Sequence, residues 1–365
     1  LLTAADLLVS FGVEQLAPNL AVVGDLSSDV SGGTVHRDMT QAVHGTVDLT
    51  VSRQLAWGYD RVRPYMLLTS RTAGVTAARF NLGVYLMTTP SAPLAESPIS
   101  YAVTGFDQLH ILQDTIGDSY AVAAGSSVLA AVETALLAAG VAAPILLDSS
   151  ASGKTLATDM TWPVTSSSSP QWVTIVNDLL ATVAYQPVWC DWDGNFRSGP
   201  YVDPSARASE WTFPVGHPTL GIVLADRSVT NDVWGAPNWW RFVQSGLSYQ
   251  PAEGAGQYTV QNVSTGASSQ ASVGRVVHAP VQFLNATDQA SLQAQGDAIV
   301  AAAKRSTEVV TVKLSPFPVA WHDDVVTYSD GALGADRKGN CTAWVLPLDW
   351  SSSATAMDYT MQTVG

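Results

Sequence analysis

The segment from Phe80 to Leu109, FNLGVYLMTTPSAPLAESPISYAVTGFDQL, constrains the fold of this chain more than any other stretch. Phe80, Leu82, Val84 and Leu86 alternate along it, and Ile99, Tyr101 and Val103 alternate again beyond a Pro/Ser loop. Successive side chains of a strand point to opposite faces, so each run predicts a strand with one buried face. The segment carries no reactive group of the kind a catalytic site needs.

The same period recurs through residues 1–110. Thr46 to Val51 alternates, and Leu55, Trp57 and Tyr59 continue at that spacing. Turn signals fall at Ser31-Gly32-Gly33, Gly58, Thr72-Ala73-Gly74 and Pro90. Strands this closely spaced, with no long helix, predict a small barrel or sandwich.

From about 111 the period becomes helical. Ser126 or Ser127 caps a helix with Val128, Val132, Leu136 and Ala139 on one face, stopped at Gly140. Ser169-Pro170 predicts a second helix with proline in its first position, and Trp172, Ile175, Val176, Leu179 and Val183 form its apolar stripe. Asp193-Gly194 between Val188–Trp192 and Asn195–Ser198 predicts a hairpin. The last third returns to strands at 238–243, 309–314, 324–328, 341–346 and 357–364. One helix interrupts them, capped by Thr287 with Asp288 in its first turn, Leu292 and Ile299 inward, and Lys304-Arg305 closing it. Residues 245–273, rich in Gly, Ser and Gln, predict a long hairpin or a loop. The fold class is mainly β with an α/β insert.

Composition narrows the function. Only 13% of residues are charged, against about a quarter in an average soluble domain, so much of the surface is neutral or set against partners. A length of 365 residues suffices for two or three domains. No run reaches the roughly 18 apolar residues of a membrane span; Val128 to Leu147 is broken by Gly140 and Pro144. The net charge is −14 and no Lys/Arg cluster is denser than Arg53, Arg61, Arg63 and Arg71, which argues against holding nucleic acid by its phosphates. Cys190 and Cys341, about 150 residues apart, predict two buried thiols and no disulfide framework. The start at Leu1-Leu2 has no basic n-region, so no signal peptide is expected.

Candidate sites have bland explanations. Asp191-Trp192-Asp193-Gly194-Asn195 starts like a calcium loop, but glycine stands at position four and Val202 at position twelve. Ser152-Gly153-Lys154-Thr155 ends like a phosphate loop, yet Asp148 occupies the place of its first glycine. His36, His44, His110, His217, His278 and His322 show no metal-binding spacing. His322-Asp323-Asp324 is a dense acid–base cluster at a turn, where carboxylates serve as turn formers. Glu14, Glu133, Glu210 and Glu308 share no recognisable context for glycosidase chemistry. The expectation is therefore no enzyme: no catalytic, cofactor-binding or metal residues, and no cofactor. Twelve tryptophans, crowded in the last third at Trp239, Trp240, Trp321, Trp344 and Trp350, fit cores and interfaces.

Several motifs carry a resemblance. The strand GVYLMTTP at Gly83 to Pro90, led into by Tyr59 to Tyr65 and continued by Tyr101 to Leu109, is one. Thr161-Trp162-Pro163, the helix after Pro170 and the hairpin at Trp189 to Gly194 follow in order, then Pro237-Asn238 and Gly274-Arg275. Together they resemble the minor tail proteins of long-tailed phages of actinobacteria, which build the hub at the tail tip. Such proteins are similar in fold to the central hub of contractile tails and to the spikes of type VI secretion.

The resemblance implies two hub-type β-barrel domains that form a pseudo-sixfold ring when trimeric. The first spans 1–110, completed by about 196–228; the insert spans 111–195; the second spans 229–365, with its helix at about 288–305. It implies a structural virion protein at the tail tip, assembled in the bacterial host cytoplasm, that joins the sixfold tail tube to a threefold tip and lets the genome pass during ejection. Its partners would be itself as a homotrimer, the distal tail protein, the tape measure protein and other tail-tip proteins. Viral DNA would pass without specific binding, and the host cell wall is a possible contact. With no fibre or lysin region before Gly365, a bare hub is expected. The alternatives are a carbohydrate-binding receptor-recognition tail protein, a hexameric distal tail ring protein and a tail-associated cell-wall hydrolase.

Overall fold

A computed structural model describes residues 7–70, 78–90, 100–165, 169–216, 222–231, 233–245, 255–284, 286, 289–305, 308–317, 320–321, 324–348 and 356–363. The chain is mainly β. Fourteen strands join in one mostly antiparallel sheet. Its main path runs Val223–Asn231, Glu308–Leu314, Met357–Thr363, Arg337–Leu348, Val30–Asp38, Gly45–Val51, Tyr101–Asp107, Tyr85–Met87, Arg61–Ser70, Leu7–Leu16, Val22–Asp25. Val325–Ser329 lies against Arg337–Leu348 and bridges, in parallel, to Trp211–Pro214. Ala78–Asn81 branches from Arg61–Ser70.

The expected pair of barrels is not seen, since no closed barrel forms among the described residues. The reason is the middle of the ladder, where Val30–Asp38 pairs with Arg337–Leu348. Strands from the two ends of the sequence bond to each other instead of each set closing on itself. One apolar core lies beneath both, from Val35, Val47, Val62 and Tyr85 to Val312, Trp344 and Tyr359. Each such fully buried side chain is worth about 1.5–3 kcal/mol of transfer free energy.

A second core lies between the helices Val128–Ala138 and Trp172–Ala181, centred on Val132, Leu136, Ile175, Leu179 and Phe196. Ser127 precedes the first helix and Gly140, at φ +88°, follows it. The second helix starts later than its proline suggests. Gln171 is the N-cap, because a bridge to Thr115 and a bond from Ile116 N–H to Pro170 O keep the backbone extended there. A third, smaller core joins Trp240 and Phe242 to Leu292 and Val300 of the helix Gln289–Arg305. Trp239–Gln244 and Gln257–Gln261 pair as a hairpin, so the part of 245–273 that is described carries both a strand and a short helix, Gln270–Val273. Thr287, Asp288 and Thr72-Ala73-Gly74 lie outside the described residues.

Three local expectations fail. The alternation Phe80–Leu82–Val84–Leu86 is not one strand: Leu82 to Val84 leave the ladder, Gly83 takes φ +106°, and the phase inverts. Beyond it Tyr85 and Met87 are buried and Leu86 is only half-buried. Leu55, Trp57 and Tyr59 lie in a turn, closed when Asp60 accepts the Ala56 N–H at 2.8 Å and the Gln15 amide at 2.9 Å. Ser31-Gly32-Gly33 sits inside a strand as a bulge, with a register shift between Val30 and Gly32.

Candidate functional site

The hairpin of Trp189–Cys190 and Phe196–Ser198 is the feature to which the rest of the site attaches. Its loop has three residues, Trp192 to Gly194, bounded by the bond from Asp191 N–H to Asn195 O. Gly194 sits at φ +86°, the left-handed position that such loops require. The buried Asp191 carboxylate accepts the Asp193 and Asn195 N–H groups, the Asn195 amide and Arg197 Nε, at 2.5–3.0 Å. Both oxygens thereby accept from protein donors, the arrangement of a turn-forming carboxylate. Among the described residues, no group of three or more His, Cys, Asp or Glu is placed to hold a metal ion.

The loop is docked on the first β region through backbone and side chains. Gly83 N–H donates to Trp192 O (3.2 Å), Asn81 Nδ2 to Asp193 Oδ1 (2.6 Å) and Gln108 Nε2 to Gly194 O (2.6 Å). A side chain at Gly194 would meet Val84 Cβ at 2.7 Å.

Beneath the hairpin lies a seam that sequence reading did not find. The Cys190 carbonyl accepts Arg37 Nη2 at 3.0 Å and Trp321 Nε1 at 3.2 Å. The buried Arg37 guanidinium stands 4.1 Å from the Trp321 ring centroid and 3.9 Å from Asp107 Oδ2. Burial pushes the Asp107 carboxyl up to about 6, opposed by Arg37 and by the backbone N–H groups of Leu109, Gly45 and His44. Burial, with Arg37 nearby, lowers His44 to about 4. The signal available in the sequence was a charged residue at an inward position: Val35 and Arg37 share the buried face of their strand.

The weighed candidates are dispersed. Asp324 accepts Trp321 N–H at 2.8 Å, the role of a turn former, and burial and the nearby Glu210 raise its carboxyl. His322 and Asp323 lie outside the described residues, as do His217 and Trp350. Glu14 is held by Arg63 and Arg79, Glu210 by Arg207 and Glu308 by Arg337, while Glu133 is exposed. His36 faces Asp48, His110 stacks on Phe106 and His278 meets Trp239. Ser152–Thr155 forms a turn under a helix, where Lys154 O accepts the Val128 N–H. Both cysteines are buried, and no disulfide joins them. Trp240, Trp321 and Trp344 belong to cores and Trp239 is half-buried.

Two surfaces remain open. The end strand Val223–Asn231 is exposed on both faces at every residue but Val223. A cleft of about 950 Å³ is lined by residues of 145–148 and 189–202, among them Trp192, and by Trp321.

No family model matches the chain, and no curated protein matches it in sequence. Solved structures do share its fold. The tail protein from Neisseria meningitidis aligns with a TM-score of 0.65 and 11% identity over 97% of this chain and 96% of that one. The 43 kDa tail protein of prophage MuSo2 from Shewanella oneidensis gives 0.62 and 10% over 96% and 98%. A chain of the Francisella PdpA–VgrG complex gives 0.56 and 9% over 99% of this chain and 53% of its own length. The fold is thus one shared with solved tail proteins, over 96–97% of this chain.

Proposed function

We propose that this chain is a structural component of a phage tail, forming as a trimer the hub at the tail tip. In that place it joins a sixfold tube to a threefold tip and leaves a lumen for the genome. Full-length likeness to tail proteins supports a tail role. The single observation that carries assembly is the strand Val223–Asn231. A strand with no buried face gains almost nothing from the monomer's core, and an open edge invites pairing. Its outer edge has no strand partner among the described residues. The low charged fraction fits surfaces covered by neighbours, which in this reading are further copies, the distal tail and tape measure proteins and other tip proteins. Residues 1–110 and 229–365 are then the two hub halves, with 196–228 completing the first and 111–195 inserted. Three copies triple the acidic charge, so DNA slides past a repelling wall. In this reading the work is done by shape, with no reaction catalysed and no cofactor or metal used; the phage of origin is one that infects actinobacteria.

Native mass measurement of the purified protein tests this: three copies are expected, six would favour a distal ring, and a monomer within intact tails would refute the hub. Leu224→Lys with Val229→Lys should abolish association. It should leave the monomer's unfolding free energy within about 0.5 kcal/mol, because both positions are already exposed.

A further inference from the structure

We infer that the cleft at the Trp189–Ser198 hairpin is a glycan-binding site. The site stands on the monomer and does not depend on the ring.

Trp192 is 47% exposed, yet it sits on a loop whose backbone is tied down on both sides. Its ring meets Trp321 edge-on, with centroids 6.1 Å apart. An exposed tryptophan held this firmly is a rigid platform, ready to stack at little entropic cost. Its indole N–H makes no hydrogen bond among the described residues. Beside it, Arg197 is fixed at Nε by the buried Asp191 carboxylate at 2.5 Å, which leaves both terminal nitrogens free among the described residues. The Gln186 amide lines the same cleft and is likewise unengaged there. Asp148 and Asp324 add carboxylates to the wall.

A pyranose ring offers an apolar C–H face with hydroxyls around its rim. Aromatic faces set among planar amide, guanidinium and carboxylate groups complement that pattern. A protein segment prefers a groove whose centre is apolar and depleted of charge, and this cleft has charged groups along it. A volume of about 950 Å³ lies at the upper end of the range for ligand clefts and leaves room for an oligosaccharide of several rings. Of the tryptophans crowded in the last third, Trp240, Trp321 and Trp344 are buried in cores. The platform lies instead on the insert.

The test titrates the purified full chain with tetramers of N-acetylglucosamine, glucose and mannose, read by saturation-transfer NMR and tryptophan fluorescence. At least one is expected to bind with a Kd on the order of 1 mM or tighter. Trp192→Ala should weaken it at least tenfold, and Arg197→Lys, which keeps the charge and loses the planar fork, should weaken it too. Trp234→Ala, at an exposed tryptophan outside the cleft, should change nothing. Silence from all three tetramers, or undiminished binding by Trp192→Ala, overturns the assignment. So does a Trp192→Ala protein that fails to enter tails while the wild type binds no sugar, since the cleft would then seat a protein neighbour.

Discussion

Asp107 lies buried against Arg37, and its carboxyl is raised from 3.8 to about 6 by burial. The folded protein therefore holds this proton more tightly than the unfolded chain does. The group's stabilising contribution is complete below about pH 4, is lost as pH rises through about 6, and is level above that. Asp107→Asn should flatten this part of the stability profile, a change on the order of 3 kcal/mol across the window, measured as urea midpoints between pH 4 and 7. Gly194→Ala combines left-handed strain of about 1–2 kcal/mol with a clash against Val84. A loss of at least about 2 kcal/mol is expected in chemical denaturation, with earlier hydrogen exchange across 189–198.

At the scale of elements, the inverted phase after Gly83 gives a sharp discrimination. Met87→Gln should cost about 3 kcal/mol and Leu86→Gln less than about 1, because Met87 is fully buried and Leu86 is not. An uninterrupted alternation from Phe80 would give the reverse order, so the two unfolding curves decide the register. This contrast also marks how far the sequence could be read. The helices Val128–Ala138 and Trp172–Ala181 were legible because buried apolar residues recur in them at helical spacing, Val128, Val132 and Leu136 in one and Ile175, Val176 and Leu179 in the other. Strands such as Gly45–Val51 were legible for the same reason at period two. Gly83 was not, since a glycine reads alike whether its φ is positive or negative. The Asp191 turn was legible as a hairpin from Asp193-Gly194, but its carboxylate network depends on a conformation already formed. The Arg37 seam was hidden because its four members, Arg37, Asp107, Cys190 and Trp321, come from distant parts of the chain.

For the whole molecule, charge makes a simple forecast. With a net charge of −14 and no basic stripe, the protein should leave double-stranded DNA unshifted in a gel even at low salt. A shift that disappears with added salt would place phosphate contacts on it and contradict a repelling lumen. The order of strands in the sheet was also beyond a single sequence, because which strands stay unpaired is a property of the finished sheet. The small barrel or sandwich expected from strand spacing is, among the described residues, an open ladder for that reason: local spacing predicts strands, and long-range pairing chooses their neighbours.

The junction of Val30–Asp38 with Arg337–Leu348 has a consequence for biosynthesis. Paired residues such as His36 and Val345 are about 300 positions apart. The ribosome must make the roughly 300 residues between the two strands before that seam can zip, and until then the early strands wait with a bare rim. Contacts of such long sequence separation slow folding and prolong the interval in which nascent chains stick to one another. A cell that makes this protein in bulk would lean on its chaperones at that step, before the sheet is complete.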